Sequence, residues 1–346
     1  MKLLVTGGAG FIGSCFSQQA VLEHGDDVVV LDALTYAGNL ENLAALKTAE
    51  SFRFVHGSIC DPDAVAAAVE GCEAVVNFAA ESHVDRSLHD PDVFLETNVR
   101  GPRILMAAAL RAGARFVQVS TDEVYGSLGA TGRFTESSPL APSSPYAASK
   151  AAADLLVGAY RASYGLDAVV TRCGNNYGPR QFPEKLIPLF ITNAMDDQPL
   201  PLYGDGLNVR DWIHVDDHCR AIRLVMERGM NGAVYNVSAD TERTNREMCD
   251  AILRELGKSW DLVRYVADRP GHDRRYALDS SRLRQELGWK PSVELETGLR
   301  TTIDWYRENR GWWERVKSGE YRTFYERQYG TRLATATKRK PEGRSS

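Results

Sequence analysis

The chain has 346 residues, 43% hydrophobic and 25% charged, with a formal net charge of −5. That length suits one large or two modest domains of ordinary globular composition. A net acidic chain argues against a nucleic-acid partner, since a phosphate backbone calls for a basic face, and no stretch approaches the roughly 20 apolar residues of a membrane span.

The first apolar run, residues 3–5, breaks at once into Gly7-Gly8. A signal peptide needs a longer apolar core, so a cytoplasmic protein is expected. The six cysteines, Cys15, Cys60, Cys72, Cys173, Cys219 and Cys249, are scattered and none stands as Cys-x-x-Cys. Reduced, mostly buried thiols in a reducing compartment are expected, and no metal site.

Runs at 3–5, 27–31, 52–55, 74–78, 116–119 and 168–171 read as strands. Helical spacing fills 11–23, 91–112 and 143–164. Alternating strands and helices imply an α/β fold, a doubly wound parallel sheet of the Rossmann kind with helices on both faces. After about residue 172 the pattern loosens into turn-rich stretches such as Asn175-Asn176-Tyr177-Gly178-Pro179, with helical segments near 246–255 and 281–286. A cofactor-binding domain over 1–172, with a return at about 211–230, and a smaller substrate-binding α/β domain over 173–330 are expected. The polar 331–346 reads as a disordered tail.

Gly7, Gly10 and Gly13 follow the first strand and open a helix at Phe11 and Ile12. Such glycines allow a tight turn and close approach of the backbone to a pyrophosphate, and helix-start N–H groups meet its charge. Asp32 ends the next strand, about 20 residues on, where an acid suits the ribose hydroxyls of NAD and repels the extra phosphate of NADP. Ala79 and Ala80, after the fourth strand, would let the cofactor lie close to the chain.

Tyr146 and Lys150 are four apart on a helix that starts at Ser143-Ser144-Pro145, so they share one face. A neighbouring ammonium and a cationic nicotinamide would favour the phenolate, letting Tyr146 take a proton from a sugar hydroxyl. Thr121, at a strand's C-terminal end, could hydrogen-bond the same hydroxyl. Asp122 and Glu123 follow directly. A plain dehydrogenase has no need of that acid pair, which suggests oxidation followed by elimination.

Through these residues the chain resembles the extended short-chain dehydrogenase/reductases, and within them the dTDP-glucose 4,6-dehydratases. The resemblance covers roughly residues 1–330. Its selective stretches are LDALTYAGNLENL (31–43), NFAAESHVDRS (77–87), STDEVYG (120–126), SPYAASKAAAD (144–154), NNYGPRQFPEKLIP (175–188), RDWIHVDDH (210–218) and RPGHDRRYALD (269–279). It implies hydride transfer from glucose C4 to NAD with Tyr146 as base, and removal of the C5 proton by Glu123. Asp122 then protonates the departing 6-hydroxyl, and hydride returns to C6. Asp122 would have to stay protonated and Glu123 ionised beside it. By the same resemblance Asn176, Arg210 and His272 would hold the substrate diphosphate, Glu184 and Lys185 would meet the thymine side, and Ser87 and Asn245 would touch the sugar nucleotide. The alternative for Glu184-Lys185 is a helix start after Pro183, and His83 reads as a core histidine. Ser58, beside Ile59 at the adenine end, stands where the family usually has an acid. Gly174 stands where it commonly has serine. The family also implies a homodimer through a four-helix interface built from the helices at 91–112 and 143–164. The rivals are an epimerase or decarboxylase on the same fold, which would not need Asp122-Glu123, and a non-catalytic nucleotide-binding protein.

Overall fold

The computed structural model describes residues 1–338. Among them the strands are β1 (Lys2–Thr6), β2 (Asp27–Asp32), β3 (Phe52–His56), β4 (Ala74–Asn77), β5 (Arg115–Thr121), β6 (Ala168–Cys173), β7 (Asn175–Tyr177), β8 (Leu200–Tyr203), β9 (Val209–His214), β10 (Val234–Val237), β11 (Glu242–Thr244) and β12 (Val263–Val266). The helices of the first half are α1 (Phe11–Leu22), α2 (Pro62–Val69), α3 (Val84–Ser87), α4 (Pro91–Leu95), α5 (Gly101–Ala112) and α6 (Pro145–Tyr164). Those of the second are α7 (Leu186–Met195), α8 (Val215–Arg228), α9 (Asn245–Leu256), α10 (Ser281–Leu287), α11 (Leu295–Glu308), α12 (Arg310–Val316) and α13 (Glu320–Ala334).

The six apolar runs form parallel strands of one seven-stranded sheet, in the order β10-β6-β5-β4-β1-β2-β3. Leu3, Leu4 and Val5 are all fully buried, because helices cover both faces. This is why such strands read as continuous apolar runs rather than alternating ones. Phe16 and Ala20 of α1 share one core with Ile222 and Val225 of α8. Val65 of α2, Leu105 of α5 and Val157 of α6 build the core on the other face. A third core joins α7, α9, α11 and α12 around a parallel β12-β8 pair, beside a three-stranded sheet ordered β11-β9-β7.

The return from the second half differs from the expected 211–230. The strand in that stretch, β9, pairs with β7 and β11 rather than with the large sheet. What returns is α8, followed by β10, which pairs with the otherwise open edge of β6. The joints between the two sheet systems are short. Gly174 alone separates β6 from β7, and His214 both ends β9 and caps α8.

The helix expected over 91–112 is interrupted by a π-helical turn, Glu96–Arg100. Pro102, with no N–H to give the carbonyl four residues back, explains the widened turn. The tail expectation also changes. α13 runs through Ala334, Leu333 packs on the third core, and Thr337 pairs with the Tyr265 backbone. The remainder of the expected tail, 339–346, lies outside the described residues. No helix among the described residues is long and apolar enough to cross a membrane.

Candidate active site

Strand order reverses between β1 and β4, and at such a switch point the carboxyl ends of the strands frame a crevice. The chain places there a cleft of ≈ 390 Å³. Gly7, Gly10, Phe11, Ile12 and Gly13 line it, as do Asp32, Ser58, Ile59, Ala79 and Ala80. The glycines are required by contact. A Cβ on Gly13 would sit 2.3 Å from the Gly7 carbonyl oxygen. One on Gly7, whose φ is +69°, would sit 2.6 Å from the Ala79 nitrogen. No side chain caps the start of α1, so its first N–H groups remain available to an anion. Asp32 is buried, and its carboxylate accepts from the Ala9 N–H (2.9 Å) and the Leu34 N–H (2.8 Å), which fixes it at the cleft wall. These residues fit a dinucleotide: a side-chain-free cradle, open helix-start donors and a fixed acid. At Ser58 the hydroxyl accepts from the Cys60 N–H at 3.1 Å, and no acid takes its place.

The far end of the same cleft is lined by Thr121, Asp122, Glu123, Tyr146 and Lys150. The Ser144 hydroxyl caps α6 by accepting from the Ala147 N–H (3.1 Å), with Pro145 in the first turn, and so sets Tyr146 and Lys150 on the face toward β5. Thr121 ends β5 and caps the following 3₁₀ turn, its hydroxyl accepting from the Glu123 N–H at 3.3 Å. This turn brings both acids to the cleft, which an extended chain would not do. The Thr121 hydroxyl also lies beside the Tyr146 phenol and eases its ionisation.

Burial pushes Asp122 well above the usual carboxylate range, and the adjacent Glu123 charge pushes it further. Burial also raises Glu123, but Arg269, Lys185 and Arg210 oppose the rise. Both carboxyls are thus raised by burial, but the charges around them pull in different directions. In the chain itself burial and then the Glu123 charge raise the Tyr146 pKa, and the Lys150 Nζ donates to the Val119 carbonyl (2.8 Å). Lys150 itself is lowered to about 8 by burial.

A second recess of ≈ 160 Å³ adjoins the cleft, sharing Glu123, Glu184 and Lys185 with it. Arg210, Asn245 and His272 line this recess, and Asn176 lines the cleft. Ser87 lines neither. It is fully buried and its hydroxyl donates to the Val84 carbonyl at 2.7 Å, so the structure does not bring it to the other site residues. The Asn176 amide is engaged by the His218 ring (2.9 Å), Cys173 Sγ and the Gly174 carbonyl. The Glu184 carboxylate pairs with Arg86 at 3.2 Å, and Arg86 is sandwiched between Tyr36 (3.8 Å) and Phe324 (4.1 Å). Lys185 donates to the Ser82 carbonyl and stands near Glu123, at the reacting end. His272 is held by Asp268 at 2.6 Å. Burial and the Arg269 charge lower it to about 4, so it is neutral at pH 7.

Sequence reasoning missed Arg269, the strongest opposing charge on Glu123, although it lies in a stretch that carries the family resemblance. Its ion-pair partner is Asp85 (3.4 Å), which accepts from Tyr203 (3.0 Å) and from Gln328 (2.8 Å) of α13. No spacing rule in a single sequence links positions 85 and 269. His83, taken as a core residue, lines the recess with its ring edge-on to Phe324. Gly174, the other departure from the family pattern, has a packing reason. A Cβ there would meet the Asp211 carbonyl oxygen at 2.6 Å.

Comparison with known proteins agrees with this architecture. The family model described as GDP-mannose 4,6 dehydratase matches residues 4–302. A dTDP-glucose 4,6-dehydratase of Streptomyces niveus is 53% identical over 93% of this chain and 98% of its own length. The crystal structure of DesIV, the dTDP-glucose 4,6-dehydratase of Streptomyces venezuelae, determined with NAD bound, superposes with a TM-score of 0.90. It is 56% identical, with 92% of this chain and all of that one covered. A UDP-glucose 4-epimerase of Thermus thermophilus in complex with NAD has a TM-score of 0.83 and 34% identity, over 89% of this chain and all of its own.

Proposed function

The chain belongs to the dTDP-glucose 4,6-dehydratase family, and from that premise we infer that it is a hydro-lyase that converts dTDP-glucose to dTDP-4-keto-6-deoxyglucose with NAD as a regenerated cofactor. The observation that carries this reading is the buried Asp122-Glu123 pair beside Tyr146, with Asp122 raised well above the usual carboxylate range and Glu123 faced by three cations. The epimerase likeness accounts for the fold and the Tyr146–Lys150 pair but leaves that acid pair without a task.

The chemistry NAD supplies when bound is reversible hydride transfer, taken from C4 of the sugar and given back at C6. The glycine turn, Asp32, Ser58, Ile59, Ala79 and Ala80 would hold it, with Lys150 and Tyr146 at its reacting end. Tyr146 removes the proton of the 4-hydroxyl, aided by the Thr121 hydroxyl. The 4-ketone acidifies C5–H, and Glu123 takes that proton and gives it back to C5 once C6 has been reduced. Asp122 gives its proton to the departing 6-hydroxyl, and water leaves. Arg269, Lys185 and Arg210 keep Glu123 ready to accept. The second recess, with Arg210, Arg269, Asn245 and neutral His272, takes the sugar-nucleotide diphosphate by charge and hydrogen bonding. Residues 1–172 with α8 and β10 serve the cofactor, and the remainder through 330 serves the sugar nucleotide.

A second copy of the chain is the proposed partner, packed against the helices at 91–112 and 145–164. Supporting this, Leu95 and Leu155 stand 53% and 66% exposed there. The direct test is incubation with dTDP-glucose and NAD, with UDP-glucose in parallel. A keto-deoxy product from the thymidine substrate is expected, and an epimerised hexose would overturn the reading.

A further inference from the structure

The residues assigned to oxidation and those assigned to elimination ride on different elements, yet one guanidinium reaches both. Arg172, on β6, is buried at 5% exposure. Its Nε donates to Asp154 Oδ2 at 2.9 Å, and its Nη1 donates to the Tyr125 hydroxyl at 2.9 Å. Asp154 lies one helical turn beyond Lys150 on α6, on the same face. Tyr125 ends the 3₁₀ turn that carries Asp122 and Glu123. The guanidinium also lies 4.8 Å over the Tyr125 ring, which stacks on Phe134 at 4.9 Å, and the Tyr125 hydroxyl donates to Asn236 at 2.8 Å. None of Arg172, Asp154 and Tyr125 lines the cleft or the recess.

Stability is a poor reason for this arrangement. A buried ion pair gives up hydration that its mutual attraction barely offsets, and apolar replacements are often neutral or stabilising. A geometric reason is better, because a guanidinium offers several donors in a rigid planar fork. Here one edge is fixed to a helix and another to a turn.

We propose that Arg172 is a positioning residue which, through Asp154 and Tyr125, locks the Tyr146–Lys150 helix and the Asp122–Glu123 turn in one register. This rests on the dehydratase reading, since only a reaction that oxidises C4 and then eliminates across C5 and C6 needs both groups on one pose of the sugar. A shift of about 1 Å between the two groups is worth about 10²-fold in rate.

The test is Tyr125→Phe, which deletes one hydroxyl and keeps the ring stack, together with Arg172→Lys, which keeps the charge but cannot fork. Both are expected to lower kcat by about 10- to 10²-fold with KM changed less than about two-fold. They are also expected to melt close to wild type and to accumulate reduced cofactor during turnover, as oxidation outruns elimination. Full kcat in Tyr125→Phe or in Arg172→Lys overturns the proposal. Crystal structures of Tyr125→Phe and wild type provide a reading independent of turnover. Displacement of the Glu123 carboxylate from Tyr146 supports the lock, and superposable sites overturn it. An inactive wild type with dTDP-glucose would overturn the functional reading, and the crystal comparison would still decide the lock.

Discussion

Asp122 and Glu123 are consecutive carboxyls that burial raises alike, but the Glu123 charge lifts Asp122 further against the charge of Arg210 alone, whereas Arg269, Lys185 and Arg210 together oppose the rise of Glu123. The same turn therefore presents two carboxyls with different charge environments to the cleft. Substitutions should separate their tasks. Glu123→Gln is expected to abolish loss of water yet leave slow oxidation at C4. Asp122→Asn should lower kcat by about 10²- to 10⁴-fold, the usual worth of a positioned acid or base. Mass spectrometry of the product and absorbance of the reduced cofactor check the two outcomes. Undiminished product from Glu123→Gln would remove it from the mechanism.

The pH profile follows from the same asymmetry. Glu123 must be ionised, and its folded value lies above the ordinary 4.5, so activity rises with pH through that raised value. Asp122 must be protonated, so activity falls as pH climbs through its own raised value. Arg269→Met removes the largest cationic influence on Glu123, which makes its proton harder to lose. The acid limb of kcat should move to higher pH, and KM should rise because Arg269 lines the recess. A stationary acid limb would remove Glu123 as the titrating base.

Stability should move against activity. Asp122 has a folded pKa raised above its unfolded value of 3.8. The unfolded chain therefore releases this proton first, and the native state loses stability as pH rises through that window. Asp122→Asn removes the ionisation. The variant should match wild type in melting temperature below about pH 4 and exceed it increasingly toward neutrality. Equal melting curves at all pH values would show that the carboxyl is not strained by burial.

Gly13→Ala tests the cradle. The added methyl would stand 2.3 Å from the Gly7 carbonyl oxygen, closer than any real contact. The glycine turn must shift, and NAD affinity measured by calorimetry should drop by at least about tenfold, about 1.4 kcal/mol. Retained affinity would show that the cofactor does not depend on this turn.

Leu155→Arg tests the self-association face. Leu155 is 66% exposed on α6, so the monomer should fold normally. A charge there should convert a dimer to a monomer in sedimentation velocity. An unchanged sedimentation coefficient would place any interface elsewhere.

Much of this fold is readable from one sequence because parallel strands buried on both faces are bare apolar runs, and the glycines at 7, 10 and 13 mark the turn between strand and helix. Short strands such as β7 and β11, three residues each, carry no such signal. They exist because β9 supplies an edge for each. Thr121, Asp122, Glu123, Tyr146 and Lys150 are visible from spacing and strand-end position. Arg269 and Asp85 are not, because their contact is made by the fold across 184 positions. Ser87 stands apart from the cleft and the recess for the converse reason. A motif names residue types, while the direction of a small hydroxyl is set by the nearest carbonyl, here that of Val84.

The joints at Gly174 and His214 leave almost no slack chain between the cofactor half and the sugar half. Joints that short restrict how far the two halves swing about those two points, and only a small change of shape on ligand binding is expected. Recognition then falls to side chains at the rim. Small-angle scattering curves recorded with and without both ligands should overlay.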